Sequence, residues 1–204
     1  MKMRPDLHLN KEFIVKIGIE IFSVVFAVLL ALGLNEWRKN KSNHELVKDA
    51  YSNIKAEITR NHENLIPVLA EHDSLYNLLD SLVTRLKEND NDFDFAINEL
   101  SFATLSNTAW ETCKITNSIG YMDFKDVMEI SDVYNVQKIY NALLDNFMDK
   151  VVFILNDKEK DENNQLYMIH LYLKYFSDVG QQLKLEYEES LEYLGKKENK
   201  EIES

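Results

Sequence analysis

Glycine and proline are scarce in this 204-residue chain, with five of the former and two of the latter. So few turn formers cannot punctuate a sandwich or barrel of many short strands, which leaves a nearly all-helical chain as the expectation. Cysteine is scarcer still. Cys113 stands alone, so neither an intrachain disulfide nor a cysteine metal cluster can form. Sequence motifs that carry chemistry are missing as well: there is no GxSxG, no Walker glycine loop, no dinucleotide fingerprint and no HExxH. Five histidines are present, His8, His44, His62, His72 and His170, but no Glu-x-x-His pair accompanies them, which removes the signature of carboxylate-bridged di-metal bundles. The expectation is a protein that is not an enzyme, with no catalytic residue, cofactor or metal.

What is present is one long apolar run. Phe13 to Leu34 holds 22 residues and would span about 33 Å as a helix at ~1.5 Å per residue, the thickness of a bilayer core. Trp37, Arg38, Lys39 and Lys41 follow, an aromatic ring suited to headgroup depth and then cations that resist entering lipid. A cleaved signal peptide competes with this reading, since Ala31-Leu32-Gly33 offers small residues. The acids Asp6, Glu12 and Glu20 and the absence of a polar cleavage region favour a retained anchor. Lys2, Arg4, Lys11 and Lys16 before the run balance Arg38, Lys39, Lys41 and Lys48 behind it, so the positive-inside rule alone sets no orientation. A short head suits a signal anchor, giving a bacterial inner-membrane protein with a cytoplasmic N-terminus and a periplasmic helical domain. Within the run, Glu20 lies one turn after Lys16 and is read as its interfacial partner. Ser23, Ala27 and Ala31 form a small-residue stripe suited to close helix approach in lipid, which with Glu20 makes a candidate site of transmembrane association.

Charge is divided unevenly. Residues 1–41 hold seven of the 23 basic and four of the 35 acidic residues, leaving 16 and 31 beyond them and a net charge of −15 on that part. Such a surface repels nucleic-acid backbones and anionic headgroups, so nucleic acid is excluded as a partner and the domain is expected to stand off the membrane beyond its juxtamembrane cations.

Behind the anchor, apolar positions recur every 3.5 residues from Val47 through Tyr51, Ile54, Ile58, Leu65, Val68, Leu75, Leu79 and Leu82 to Leu86, with Asn61 and His72 as polar members. A helix with this stripe must lay it against other helices, and the polar members are read as register-fixing. Pro67 predicts a kink. Residues 87–92 read as a solvated loop, Phe95 to Leu105 as a short helix, and Thr108 to Thr116 as another, capped by Ser106 or Asn107 and closed by a turn at Asn117 to Gly120. Asp123 caps a long helix to about Leu155, with Val127, Ile130, Tyr134, Tyr140, Leu143, Phe147, Val151 and Ile154 inward. Residues 157–164 form a connection. A last helix, about Gln165 to Leu194, carries the seam Leu166, Ile169, Leu173, Phe176, Gly180, Leu183, Tyr187 and Leu194, in which Gly180 is either a weak point or a place of close approach. The architecture expected is all-α: a short head (1–12), a transmembrane helix (13–37) continuing into an elongated up-down bundle with a short-helix insert (38–195), and a charged, frayed tail (196–204).

Trp110, Glu111 and Tyr134 are the candidate node of this domain. They line a binding cleft, or they lock the short-helix insert onto the long helices with Glu111 accepting backbone or hydroxyl hydrogen bonds. Trp110, Cys113 and Ile115 supply a compact apolar cluster for the lock. Tyr167, Tyr172, Tyr175 and Phe176 crowd the last helix as packing or as a protein contact surface.

Glu20-Ile21, the segments Leu29 to Arg38 and Asn53 to Leu65, the stretch LSNTAWETCKITNSIGYMD and SDVYNVQKIY resemble an uncharacterised family of small bacterial membrane proteins. The resemblance covers most of residues 17–144, with Ala109 to Thr112 as its most specific marker. It departs at Asn117-Ser118, where relatives read Thr-Gly-Ala-like, which bears on the turn. It implies a single N-terminal span and a helical remainder, and carries no activity. Together these readings point to a membrane-anchored scaffold or recruitment protein of the cell envelope with a protein partner and self-association left open. A ligand-sensing module signalling through a separate partner is the alternative.

Overall fold

The computed structural model describes residues 11–88, 100–156 and 162–203, with side chains described for all of these except 11–14, 151–156, 162, 164–165 and 198–203. Four α-helices are present among them: α1 (Lys11–Lys87), α2 (Thr108–Ile115), α3 (Phe124–Asn156) and α4 (Glu162–Glu203), with a 3-10 turn at Ser118–Tyr121 between α2 and α3. The chain is all-α. It divides into two compact units, Met1–Leu46 and Val47–Ser204.

The first unit contains the opening part of α1. Its side chains from Val15 to Leu34 are exposed, Phe22 and Phe26 stack at 6.1 Å, and the most apolar 18-residue window has none of its residues buried. Among the described residues this is a helix long and apolar enough to cross a membrane.

In the second unit the expected seams are the core. Ile54, Ile58, Asn61, Leu65, Val68, His72, Leu79 and Leu82 of α1 are buried, as are Leu166, Leu173, Phe176, Leu183, Tyr187 and Leu194 of α4. On α3, Ile130, Tyr134, Tyr140 and Phe147 are buried, whereas the side chains of Val151 and Ile154 fall outside the described residues. Pro67 neither breaks α1 nor enters the seam: it lies on the exposed face, where solvent can reach the carbonyl its missing N–H leaves unbonded. Gly180 is a close-approach position. A Cβ there would lie 2.3 Å from Leu69 Cδ2 and 3.5 Å from Tyr140 Cε2.

The helix directions follow from side-chain pairs. Tyr51, Glu57 and Asn61 of α1 meet Asp126, Tyr134 and Gln137 of α3 in the same order, so α1 and α3 are parallel. Meanwhile His62, Asp73 and Asp80 meet Glu188, Ser177 and His170, so α4 runs back. Up-down succession therefore joins α3 to α4, and among the described residues the return between α1 and α3 runs through a segment that is not helical.

That return is residues 100–107, which are not helical, in contrast to the short helix expected over Phe95–Leu105; its beginning, 95–99, and most of the loop at 87–92 lie outside the described residues. The geometry explains the difference. Ser101 bonds beside His72 and Ser106 bonds to Asn61, so 5 residues of this strap run alongside 11 residues of helix. Extended chain covers about 16 Å in 5 steps at ~3.3 Å, the same as 11 helical steps at ~1.5 Å, whereas a helical strap would fall short by half. Ala103 and Leu105 are buried and Thr104 exposed, the two-residue alternation of extended chain.

One further boundary differs from expectation. The chain beyond Gly195 stays helical to Glu203, and Leu194 and Lys197 anchor it. The head at 1–10 and the connection at 157–161 lie outside the described residues.

Candidate functional site

The centre of the second unit is a hub of buried polar side chains around Glu57, only 7% exposed on α1. Its Oε1 accepts from the Tyr134 hydroxyl at 2.7 Å. Its Oε2 accepts from Ser106 Oγ at 2.6 Å and from the Ala109 backbone N–H at 3.0 Å. Ala109 stands in the first turn of α2, where backbone N–H groups have no partner within the helix. Neither Asn107 nor any other residue at the N-cap position supplies a side-chain cap, although Ser106 Oγ accepts from Thr108 N at 3.3 Å. Glu57 thus caps α2 from a different helix, with a negative group at the positive end of its dipole.

One turn along α1, Asn61 holds the strap by both faces of its amide. Its Oδ1 accepts from Ser106 N at 2.9 Å, and its Nδ2 donates to Ser106 O at 2.6 Å and to Gln137 Oε1 at 3.1 Å. Gln137 Nε2 donates to the same Ser106 carbonyl at 2.9 Å, and Tyr187 of α4 donates to Gln137 Oε1 at 2.7 Å. Strap and all three long helices therefore meet in one network whose donors and acceptors satisfy each other. Burial, followed by the neighbouring Glu57, keeps the Tyr134 hydroxyl far above the usual phenol range; burial does the same for Tyr187.

At the other end of the strap, His72 is fully buried and its Nε2 lies 2.7 Å from the Ser101 carbonyl, so this nitrogen carries the proton. Phe102 and Phe176 flank the ring at 5.4 and 5.6 Å. Nδ1 has no hydrogen-bond partner among the described residues. Burial lowers the His72 pKa, and the Ser101 carbonyl, Glu71 and Asp73 only partly oppose this.

Of the sequence-predicted node, the fold brings Trp110 and Tyr134 together as parallel rings at 5.6 Å and 4°, with Trp110 only 8% exposed. Glu111 is not part of it. Its side chain is half exposed and pairs with Lys114 one turn on, because Glu57 already occupies the place of the hydrogen-bond acceptor assigned to it. Ile115 also leaves the proposed apolar cluster, being 84% exposed, while Cys113 is buried and its thiol pKa raised by that burial. The turn after α2 sets Asn117 in the left-handed region, at φ 58° and ψ 21°, which asparagine tolerates better than most residues. Ser23, Ala27, Ala31 and Glu20 lie exposed on α1 of the first unit, with Ser23 Oγ donating back to Ile19 O at 2.8 Å.

Near the end of the second unit where α1 comes in, a second buried carboxylate gathers three helices. Asp126 accepts from Tyr51, from Tyr193 at 2.6 Å and from Lys197, which also donates to the Tyr51 hydroxyl at 2.9 Å. Burial raises the Asp126 carboxyl, yet the bonds from Lys197, Tyr193 and Tyr51 outweigh it and the net shift is downward. Tyr51 is pushed up to about 12 by burial and by Asp126.

Sequence reasoning missed Glu57, Gln137 and Asp126. A signal for two of them existed: the gap between Tyr134 and Tyr140 in the inward series of α3 demands an inward residue at 137, and Asp126 lies one turn before Ile130. Glu57 adjoins the seam position Ile58, and it is inward because Tyr134 of α3, Ser106 of the strap and the start of α2 gather on it.

The chain matches no protein-family model, no curated protein and no solved structure.

Proposed function

We propose that this protein is a non-enzymatic, single-pass anchored helical scaffold or recruitment protein of the bacterial cell envelope, held in the inner membrane with its helical unit on the periplasmic side. The observation that carries the reading is the uncovered apolar helix from Val15 to Leu34. Behind it comes a unit whose central polar side chains are spent on holding its own strap. That arrangement suits a rigid support. The face we assign to a protein partner is on α4, where Met168, Leu171 and Tyr175, at helical spacing, point away from the buried seam and are exposed. Aromatic residues and methionine are enriched where proteins meet.

The test is a photo-crosslinking amino acid at Tyr175 in cells, followed by carbonate extraction of membranes and mass spectrometry of the adducts. Recruitment requires the protein in the membrane pellet with a reproducible adduct to one envelope protein. Release into the carbonate supernatant would remove the anchor, and membrane retention without an adduct would remove the partner face. The runner-up, an extracytoplasmic ligand-sensing module acting through a separate partner, is favoured by one observation, that α1 is helical on both sides of the Leu46–Val47 boundary.

A further inference from the structure

The strap is held at two places. Its trailing end, Ser106, is bonded by Asn61, Gln137 and Glu57. Its leading end, Ser101, is held by two successive residues of α1: the carbonyl accepts from His72 Nε2 at 2.7 Å and the N–H donates to Glu71 Oε1 at 3.1 Å. Ser101 is exposed, whereas His72 is fully buried. Water can therefore take the place of His72 at the Ser101 carbonyl, but it does not reach the ring. Phe102, the next residue of the strap, covers that ring, with centroids 5.4 Å from His72, 5.2 Å from Phe176 of α4 and 5.3 Å from Phe147 of α3.

A neutral ring suits this place. Protonation puts a second N–H on Nδ1, which has no acceptor among the described residues, and sets a positive charge among aromatic side chains. The charged groups acting on the ring are Glu71 and Asp73, both on its own helix and both engaged elsewhere. Glu71 takes the Ser101 N–H, and Asp73 accepts from Ser177 Oγ at 2.5 Å and Gln181 Nε2 at 3.2 Å of α4. The strap brings Phe102 and the Ser101 carbonyl, and α4 brings Phe176, none of which titrates. On α3, Tyr140 packs onto Phe176, and its hydroxyl, pushed up to about 12 by burial, stays neutral.

We propose that His72 is a pH-sensitive latch: on taking a proton at Nδ1 it lets go of Ser101, and the leading end of the strap lifts from α1 while Ser106 stays pinned. Lifting withdraws Phe102 and uncovers Phe147 and Phe176, a face the unit lacks while the latch is closed. The latch is independent of the anchored reading, because every group in it belongs to the second unit. A ring that stays neutral when covered, and takes a proton at the ordinary ~6.5 when uncovered, favours the open strap as pH falls. The open fraction then rises about tenfold between pH 7.5 and 5.5.

Hydrogen exchange of the full chain in mild detergent, resolved by residue and corrected for the intrinsic pH dependence of amide exchange, tests the latch. Between pH 7.5 and 5.5, protection at Ser101 and Ala103 should fall about tenfold while Ser106 and buried Leu183 of α4 hold theirs. In His72→Gln, whose side-chain N–H can donate to the Ser101 carbonyl without titrating, the fall should vanish. It should remain in a chain carrying His62→Gln and His170→Gln, the unit's other two histidines. The 15N spectrum of the His72 ring in wild type, followed through the same pH series, makes the test independent of whether the variant folds: ring protonation and strap opening should coincide. Constant protection at Ser101 and Ala103, or a fall that persists in a folded His72→Gln, overturns the latch. An equal fall at Ser101, Ser106 and Leu183 overturns it too, since that is opening of the whole unit. So does a ring that protonates while the strap stays protected.

Discussion

The rings of Trp110 and Tyr134 lie parallel, 4° apart with centroids 5.6 Å from one another, and the hydroxyl of the same Tyr134 donates to Glu57. One tyrosine thus joins the apolar attachment of α2 to its polar cap. The offset parallel stack is a favoured aromatic geometry, and removing a buried Trp costs about 3–5 kcal/mol. Trp110→Ala is expected to lower the Tm of the full chain in mild detergent by about 10 °C, at ~2–4 °C per kcal/mol for a unit of this size. Calorimetry checks this. A Tm equal to wild type would mean that Trp110 contributes nothing to holding α2.

Glu57 should discriminate between substitutes. Glu57→Ala strips acceptors from Tyr134, Ser106 and Ala109 at once, and each buried group left unpaired costs about 1–3 kcal/mol. Glu57→Gln keeps one oxygen for Ser106 and Ala109 and can donate to the Tyr134 oxygen, so about 1 kcal/mol is expected. Denaturant melts of the two variants should differ severalfold in lost stability, and equal losses would contradict the cap.

His72 should make stability depend on pH. Its pKa is lowered in the folded protein, so the unfolded chain binds the proton more readily, and the stabilisation is complete above the ordinary value of ~6.5 and lost as pH falls toward the folded value. The slope is at most ~1.4 kcal/mol per pH unit. Carried through the same pH series, His72→Gln should lose this component of the slope between pH 7 and 5. An unchanged slope would assign the dependence to other groups.

Gly180→Ala should destabilise although alanine is the better helix former by ~1 kcal/mol. Its methyl would meet buried Leu69 and touch Tyr140, and overpacking of this kind costs about 1–3 kcal/mol. Gly195→Ala, with nothing within 4 Å of the added carbon, should be neutral or stabilising. Leu69→Ala combined with Gly180→Ala should recover part of the loss, and additive single effects would refute the clash.

Asp126 should hold the end of α4. Without it Tyr193 and Lys197 lose their shared acceptor, so Asp126→Ala is expected to speed trypsin cleavage at Lys196 and Lys197 well before the rest of the unit opens. Cleavage at the wild-type rate would show that Leu194 packing suffices by itself.

The helical seams were legible because burial on α1 and α4 follows local spacing: Ile54, Ile58, Leu65 and Leu79 announce one face whatever they pack against. Asn61 and His72 stood out as polar members of that face. Their partners did not, since both hold backbone groups of a strap 29 to 45 residues away, and no periodicity encodes such a pairing. Glu111 is adjacent to Trp110 in sequence, whereas the acceptor at the start of α2 is Glu57, which α1 presents there.

The sequence by itself determined the helical class and one apolar run long enough to cross a membrane, for scarce glycine and proline, long amphipathic stripes and an uninterrupted apolar run are local properties that act residue by residue along the chain. Only the tertiary structure decided that residues 100–107 run extended, that α3 parallels α1, and that Glu57, Gln137 and Asp126 are the buried polar centres. Each of those depends on the length of helix a segment must run along and on which donor lacks a partner at a given place, quantities that exist only once distant parts of the chain are brought together.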